Sequence, residues 1–375
     1  MTGSPPAASW FQRFLLPGFA MKAVIIGGGY ATGRELAEFF IPAGPWGGLL
    51  AMALATLIWS MVAAVTFALA HTWRAYDYRS FFERLLGPGW IAFELAYLVF
   101  VVLILAVFGA AAGEIGAATF GWPLAAGAVL LAAAIVATTA LGEAGVERLF
   151  KYASILIYAV YVLFIVVALI SFGDRIGAGL ALQPAVKPAW LEGGLTYAGY
   201  NIVGAVVILP VLRHLTSRRD ALVAGAIAGP LAMLPAMLFF LAMIAFYPGI
   251  GNEALPSAFL LGQMAVPGFD LLFQLMIFVA LLESGVGAVH AINERLSGAL
   301  EARRRPPLGT LGRVVLGSII LAGCMFVAQR LGLVTLIAKG YRLLAGLFLA
   351  VYVVPLLSIG VWRLIKSQPQ PEASS

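Results

Sequence analysis

Cysteine, histidine and charged side chains are scarce in this sequence. Its 375 residues include one cysteine, three histidines and 11% charged residues. The lone Cys324 excludes an intramolecular disulfide and a metal site built from several cysteines. The histidines are far apart along the chain, and their spacing predicts no zinc site. We therefore expect neither a metal nor a cofactor.

Hydrophobic residues make up 62% of the chain, and the mean hydropathy is +0.99. Soluble globular chains do not have this composition, so it predicts an all-α integral membrane protein whose main partner is the lipid bilayer. The net charge of +6 does not indicate nucleic-acid binding, because the basic residues lie in loops between apolar runs.

Ten apolar runs are long enough to cross a bilayer, which takes about 17–25 helical residues. They are residues 15–40, 48–70, 90–112, 123–141, 152–172, 191–212, 221–247, 269–296, 311–329 and 341–365. The first five form one predicted repeat, residues 15–172, and the last five form a second, residues 191–365. Residues 173–190 connect the repeats. Residues 1–14 and 366–375 are predicted tails, the second of them disordered.

The basic residues of the loops are distributed unequally between the two sides of the membrane. With ten spans, sixteen of the 23 lysines and arginines fall in segments on the side of both termini, and five fall on the other side. Lysine and arginine are enriched in cytoplasmic loops. We therefore predict that the N- and C-termini are both cytoplasmic.

Glycine is concentrated in the first run, at residues 27, 28, 29 and 33. Each glycine costs a helix about 1 kcal/mol relative to alanine. A broken helix persists in a membrane only where it is buried in protein or lines a cavity. These glycines therefore predict a break whose backbone groups face a solute. The alternative is that they only allow close packing of helices.

The sixth run is also rich in glycine, over residues 193–204, and it contains the polar Asn201. Since five is odd, two five-helix repeats have opposite orientations in the membrane. Transporters built from inverted repeats carry interrupted helices at corresponding positions of the two halves. The first helix of each repeat is therefore predicted to be broken.

The sequence GGGYATGRE at residues 27–35, followed by Phe-Phe at residues 39–40, resembles the signature of the YkvI-like bacterial membrane proteins. Residues 200–201 and 293–296 are similar as well, and the resemblance covers nearly the whole chain. It implies the amino acid–polyamine–cation superfamily and its LeuT-type fold, a five-plus-five inverted repeat with broken helices 1 and 6. It also implies a transporter of the bacterial inner membrane that works by alternating access. It names no substrate.

The two breaks indicate where a solute would bind. The amide end of a half-helix is partly positive and suits a carboxylate, whereas the carbonyl end suits a cation. The expected solute is a small organic molecule, such as an amino acid or a related carboxylate or amine. Its predicted contacts are Gly27, Gly28, Gly29, Tyr30, Ala31, Thr32, Tyr197, Tyr200 and Asn201. For the tyrosines the alternative is a packing role.

Arg34 follows the first break and is a candidate gate, because arginine binds carboxylates through two parallel hydrogen bonds. A simpler interpretation is an ion pair with Glu38, four residues along the same helix. Glu35 and Glu38 are themselves predicted to be capping or solvated residues of the outer half-helix.

Glu283 lies in the middle of the eighth span, where a carboxylate is costly and indicates function. Lys22, before the first break, is a candidate partner for it. A Lys22–Glu283 pair would replace a sodium ion and carry protons, so proton coupling is preferred. Ser284 supports the alternative, sodium coupling. Other interpretations are that Lys22 extends to the cytoplasmic surface and that Glu283 is structural.

An integral-membrane enzyme and a channel are two further classes of function, and the sequence favours neither. An integral-membrane enzyme usually shows acidic clusters or histidine pairs at the membrane surface, and the sequence has neither. The prediction is therefore that the chain is not an enzyme. A channel is less compatible with broken helices around a central site than alternating access is. The predicted oligomeric state is a monomer or a homodimer.

Overall fold

The computed structural model describes residues 9–25, 28–140, 142–182 and 185–366. Helices account for all the regular secondary structure of these residues, and they contain no strand. The helices of the first half are α1 Trp10–Phe14, α2 Leu16–Ile25, α3 Gly28–Ala31, α4 Arg34–Phe39, α5 Pro45–Trp73, α6 Tyr78–Leu86, α7 Trp90–Phe120, α8 Leu124–Ala140 and α9 Gly142–Leu182.

The second half has the same helical character. Its α-helices are α10 Ala189–Asn201, α11 Gly204–Val207, α12 Arg218–Ile244, α13 Pro256–Met264, α14 Phe269–Ala302, α15 Thr310–Thr335, α16 Tyr341–Phe348 and α17 Val361–Lys366. Three short π-helical turns, Leu336–Gly340, Leu349–Val353 and Leu356–Gly360, connect α15, α16 and α17. Within the described residues, six helical segments are long and apolar enough to cross a membrane.

Each predicted span coincides with one helix or with a group of short helices. The first span corresponds to α2, α3 and α4, and the sixth to α10 and α11 with a 3-10 turn, so both are interrupted as predicted. Helix α9 continues to Leu182, through residues that the sequence analysis placed in the connection between the repeats. Two further apolar helices, Leu16–Ile25 and Leu124–Ala140, are shorter than the long apolar segments described above.

Glycines allow two long helices, α12 and α5, to approach each other closely. A Cβ atom at Gly225 of α12 would lie 2.3 Å from the backbone of Ala64 in α5, and one at Gly229 would lie 2.6 Å from the carbonyl oxygen of Thr56. Such distances are far below van der Waals contact. The two glycines, one turn apart, therefore let the α12 and α5 backbones meet, as small residues do in membrane proteins.

Glycines also allow close contact between α10 and α4, which belong to the first spans of the two repeats. A Cβ atom at Gly193 of α10 would lie 1.9 Å from the carbonyl oxygen of Phe39 in α4. Gly194 is in close contact with Ala51 of α5. Both glycines are inside a regular helix. They are packing glycines, and the break in this span comes later, after Asn201.

Helix α1 is fixed to the start of α12 by an ion pair. The Arg13 guanidinium donates two 2.8 Å hydrogen bonds to the Asp220 carboxylate. The hydroxyl of Thr216 donates a third, at 2.6 Å. Ser217 caps α12 by accepting a hydrogen bond from the Asp220 amide. This arrangement holds the segment before α2 against the second repeat.

Candidate functional site

The interruption of the first span lies at Thr32 and Gly33. Helix α3 ends at Ala31, and Gly33 has a φ of 79°, in the left-handed region that suits glycine. A Cβ atom there would also lie 2.7 Å from the Phe239 ring. Gly27 lies outside the described residues, and Gly28 and Gly29 form the start of α3. The predicted break is therefore present, and the non-helical residues that the structure describes within it, Thr32 and Gly33, come after the triple glycine.

One backbone group of this break is already bound by protein. The carbonyl oxygen of Thr32 accepts a 3.0 Å hydrogen bond from the amide of Ser257, at the start of α13. The side chain of Thr32 accepts a 3.3 Å hydrogen bond from the Arg34 amide. A solute that binds Thr32 would therefore replace protein contacts.

The second interruption follows Asn201. Residues Ile202 and Val203 form a turn between α10 and α11. The Asn201 side-chain amide donates a 3.2 Å hydrogen bond to the carbonyl of Tyr197, within its own helix. Asn201 is 8% exposed. It is at the break, as predicted, but its amide nitrogen is bound within α10.

The predicted tyrosines come together between the two breaks and are fully enclosed. Tyr30 and Tyr197 have no exposed surface, and Tyr200 is 3% exposed. The Tyr161 hydroxyl donates to that of Tyr30 at 3.1 Å. The rings of Tyr197 and Tyr200 lie 5.6 Å apart, and Tyr200 lies 4.2 Å from Tyr341. The predicted solute contacts thus form a tightly packed aromatic cluster.

Glu35 is buried, contrary to the prediction from the sequence. Instead of capping α4 or facing solvent, it is 4% exposed. Its carboxylate accepts a hydrogen bond from the hydroxyl of Tyr200, and the Tyr341 ring packs against the Tyr200 ring. The sequence offered one signal, because Glu35 lies in the first apolar span, where an acidic side chain is rare and is usually buried in protein.

Arg34 closes one side of the tyrosine cluster. Its guanidinium donates to the carbonyl oxygens of Gly251 at 2.9 Å and Glu253 at 2.8 Å, and to the Glu38 carboxylate at 2.8 Å. The i,i+4 pair with Glu38 is therefore formed, together with contacts to the loop before α13. The Arg34 side chain is 6% exposed. Arg342 adds weaker ion pairs to Glu38 at 3.8 Å and to Glu192 at 3.3 Å.

A cavity of about 400 Å³ lies on the other side of the breaks. Both broken spans border it, through Ala23 and Val24 of α2 and Val207 of α11. Its polar groups include Ser154, Tyr158, Glu283 and Ser284. The Ser154 hydroxyl donates a long, 3.4 Å hydrogen bond to the Glu283 carboxylate. The rest of the lining is apolar apart from Tyr97, so these few groups would set the polarity of any ligand bound there.

The predicted Lys22–Glu283 ion pair is not formed in the part of the chain that the structure describes. The Lys22 ammonium lies 4.2 Å from the centroid of the Tyr158 ring, in a cation–π contact. Ala23 and Val24 line the cavity, whereas Lys22 does not. Lys22 thus contacts a ring that borders the cavity without forming an ion pair with Glu283.

A metal centre has no support in the described residues. Within them, no group of three or more His, Cys, Asp or Glu side chains could hold a metal ion.

No family model matches the sequence, and no curated protein matches it. Solved structures do match in fold. MhsT, in complex with L-phenylalanine, has a TM-score of 0.63 and 15% identity, covering 97% of this chain and 99% of its own. A Na⁺-coupled sialic acid symporter in a substrate-bound outward-open state has a TM-score of 0.60 and 13% identity, covering 94% and 82%.

A manganese transporter from Eremococcus coleocola has a TM-score of 0.55 and 18% identity, with coverage of 95% of this chain and 81% of its own. These structures share the LeuT-type fold. At such low identity the similarity concerns the fold alone. The chain is thus an all-α membrane protein of the LeuT-type fold, with the first and sixth spans broken.

Proposed function

We propose that the chain is a secondary active transporter that moves a small organic solute by alternating access. The observation that carries this proposal is the asymmetry about the two breaks. Arg34 closes one side, whereas the other side holds a cavity of about 400 Å³ bordered by both broken spans. A protein that exposes a central site to one side at a time needs this arrangement.

The proposed solute is an amino acid or a related carboxylate or amine. A cavity with mainly apolar walls and a few oxygen-bearing side chains suits a small amphipathic molecule. MhsT, which has the same fold, is bound to L-phenylalanine. The solute would pass from this cavity to the groups predicted from the sequence at the breaks, residues 27–32 with Tyr197, Tyr200 and Asn201, by displacing part of the tyrosine packing.

Proton coupling is the proposed energy source. Sodium coupling is the second candidate, because the oxygens of Ser154, Glu283 and Ser284 line one cavity and one structural neighbour is a Na⁺-coupled symporter. The proposed location is the bacterial inner membrane, with cytoplasmic termini. This places the Glu283 cavity on the cytoplasmic side and Arg34 on the outer side. Membership of the YkvI-like family belongs to the same proposal.

The test is ligand binding to the purified protein, measured by its thermal stability. Amino acids, amines and small carboxylates are added one at a time, in sodium or potassium, at acid and alkaline pH. A ligand at about 100 times its Kd stabilises the folded state by about 2.7 kcal/mol. Compounds that stabilise the protein are then tested for uptake into proteoliposomes.

A matched pair of variants shows where the solute binds. Asn201→Ala, at the second break, should weaken binding, whereas Gln263→Ala, at an exposed position of α13, should not. Stabilisation that requires sodium would favour the second candidate. If every stabilising compound bound without being taken up, the transporter proposal would be wrong.

A further inference from the structure

Glu35 is a buried acid with no cationic partner. None of the ion pairs among the described residues includes it. The neighbouring Arg34 reaches Glu38 and the loop before α13, and Arg342 reaches Glu38 and Glu192. Removing a lone carboxylate from water costs several kcal/mol. Glu35 therefore depends on hydrogen bonds, on a bound cation or on a proton.

The groups that face Glu35 are hydroxyls from two other elements. Tyr200 of α10 hydrogen-bonds to its carboxylate, and Tyr341 of α16, whose ring lies against that of Tyr200, faces the same carboxylate. Tyr197 and Tyr30 are the other ionisable groups close to it. A hydroxyl can donate or accept a hydrogen bond. The same side chains can therefore satisfy a carboxylate, which only accepts, and a carboxylic acid, which also donates.

The space around Glu35 limits what can bind there. The Tyr200 and Tyr341 rings lie 4.2 Å apart, and both side chains are at most 3% exposed. The Tyr197 hydroxyl is fully buried and has no hydrogen-bond partner among the residues that the structure describes. An organic ammonium ion would need this packing to open, whereas a proton needs no space. The unpartnered Tyr197 hydroxyl also offers an acceptor for the hydrogen bond that a protonated Glu35 would donate.

The tyrosine contacts of Glu35 connect three helices near the side that Arg34 closes. Glu35 is in α4, directly after Arg34, whereas Tyr200 and Tyr341 belong to α10 and α16. Hydrogen bonds to a charged acceptor are roughly twice as strong as neutral ones. The ionised acid thus holds the three helices together more strongly than the neutral acid does.

We propose that Glu35 binds and releases the coupling proton, and that its charge state sets how firmly α4, α10 and α16 stay together. This inference rests on the proposed transport function. In the step, a proton from water bonds to a carboxylate oxygen of Glu35, and a tyrosine hydroxyl changes from donor to acceptor. On release the same O–H bond breaks and the proton returns to water.

The first experiment detects the proton without any solute. Infrared difference spectra of the purified full-length protein are recorded between acid and alkaline pH. A protonated, buried carboxyl group gives a carbonyl band, which the wild type and Glu283→Gln should both show and Glu35→Gln should lack. A band that survives in Glu35→Gln, or one that sodium abolishes at constant pH, would overturn the assignment.

The second experiment measures coupling in proteoliposomes. One pH unit is equivalent to about 1.4 kcal/mol per proton and supports up to about tenfold accumulation of a co-transported solute. Glu35→Gln should still exchange solute across the membrane but lose this pH-driven accumulation. Glu35→Asp should keep accumulation with a shifted pH profile, which a merely structural role would not produce.

These two measurements separate the two proposals. If no solute is transported, the transporter proposal fails, while the infrared band still decides whether Glu35 binds a proton. If Glu35→Gln accumulates solute as the wild type does, the coupling role of Glu35 is wrong and the transporter proposal stands. Glu35→Asp also provides a folded comparison should the glutamine variant be unstable.

Discussion

The Arg34 guanidinium and the Glu38 carboxylate form a 2.8 Å ion pair, and both belong to α4, the last part of a broken helix. The same guanidinium holds the loop before α13 at the carbonyl oxygens of Gly251 and Glu253. A helical i,i+4 pair is worth only a few tenths of a kcal/mol. The contacts to the loop are therefore the ones that matter for closing this side.

Arg34→Gln should open this side. A hydrogen bond from a charged group is worth about 1.5–3 kcal/mol, so loss of the loop contacts should raise the open population about tenfold or more. The measurement is the rate at which a thiol reagent labels Ser257→Cys, a buried position next to the break. Cys324→Ala provides the cysteine-free background.

Arg342→Gln is the control for this prediction. Arg342 is largely exposed and forms weaker ion pairs to Glu38 and Glu192, and exposed pairs contribute about 0–1 kcal/mol. Its labelling rate should therefore stay close to that of the background. Equal rates in the two variants would show that Arg34 does not close this side.

Gly33→Ala should destabilise the fold through the turn of the first break. A left-handed backbone costs a residue other than glycine about 1–2 kcal/mol, and the added methyl group would also contact the Phe239 ring at 2.7 Å. Gly268→Ala isolates the backbone contribution, because Gly268 has a φ of 75° and a ψ of −7°, close to those of Gly33, and a Cβ atom there would have nothing within 4 Å. Thermal unfolding should show the larger loss for Gly33→Ala; equal losses would mean that Phe239 moves aside.

Lys22 and Glu283 should act independently on stability. They form no ion pair, so Lys22→Ala and Glu283→Gln should be additive within about 0.5 kcal/mol in a double-mutant cycle. Lys22→Ala and Tyr158→Leu should instead be coupled by about 0.5–1 kcal/mol, because the ammonium lies over the Tyr158 ring. Strong coupling between Lys22 and Glu283 would restore the ion pair that the sequence suggested.

Gly225→Ala should separate α12 from α5. Its Cβ atom would lie 2.3 Å from the Ala64 backbone, and backbone cannot rotate away as a side chain can, so a cost of about 1–3 kcal/mol is expected. Gly173→Ala, in α9 with nothing within 4 Å, should be neutral or slightly stabilising. Thermal unfolding of the two variants gives the comparison.

The breaks could be predicted because their signal is local. A cluster of glycines within seven residues of the first span, and a glycine-rich sixth span ending near Asn201, mark them in the sequence itself. The exact positions could not be predicted. Residues 28–31 still form a short helix, and Gly193 and Gly194 serve packing, because tertiary contacts decide which glycines interrupt a helix.

The environment of Glu35 could not be predicted, because its partners are distant in the chain. Tyr200 is 165 positions away, and Tyr341 belongs to another helix of the second repeat. For Lys22, the sequence suggested a contact that the described part of the structure does not contain. Its place in the first half of the broken helix suggested that Lys22 reaches Glu283. In the structure, Ala23 and Val24 of the same half-helix line the Glu283 cavity instead.

The contact between Gly193 and Phe39 joins two half-helices backbone to backbone, with no side chain between them. Side-chain rotation can absorb small displacements, and this contact has none to rotate. The parts of α4 and α10 around Phe39 and Gly193 should therefore stay together even when protonation of Glu35 loosens contacts elsewhere along these helices. Probes attached at these parts would keep a constant separation throughout the proposed transport cycle and would give a fixed reference for the displacement of the other helices.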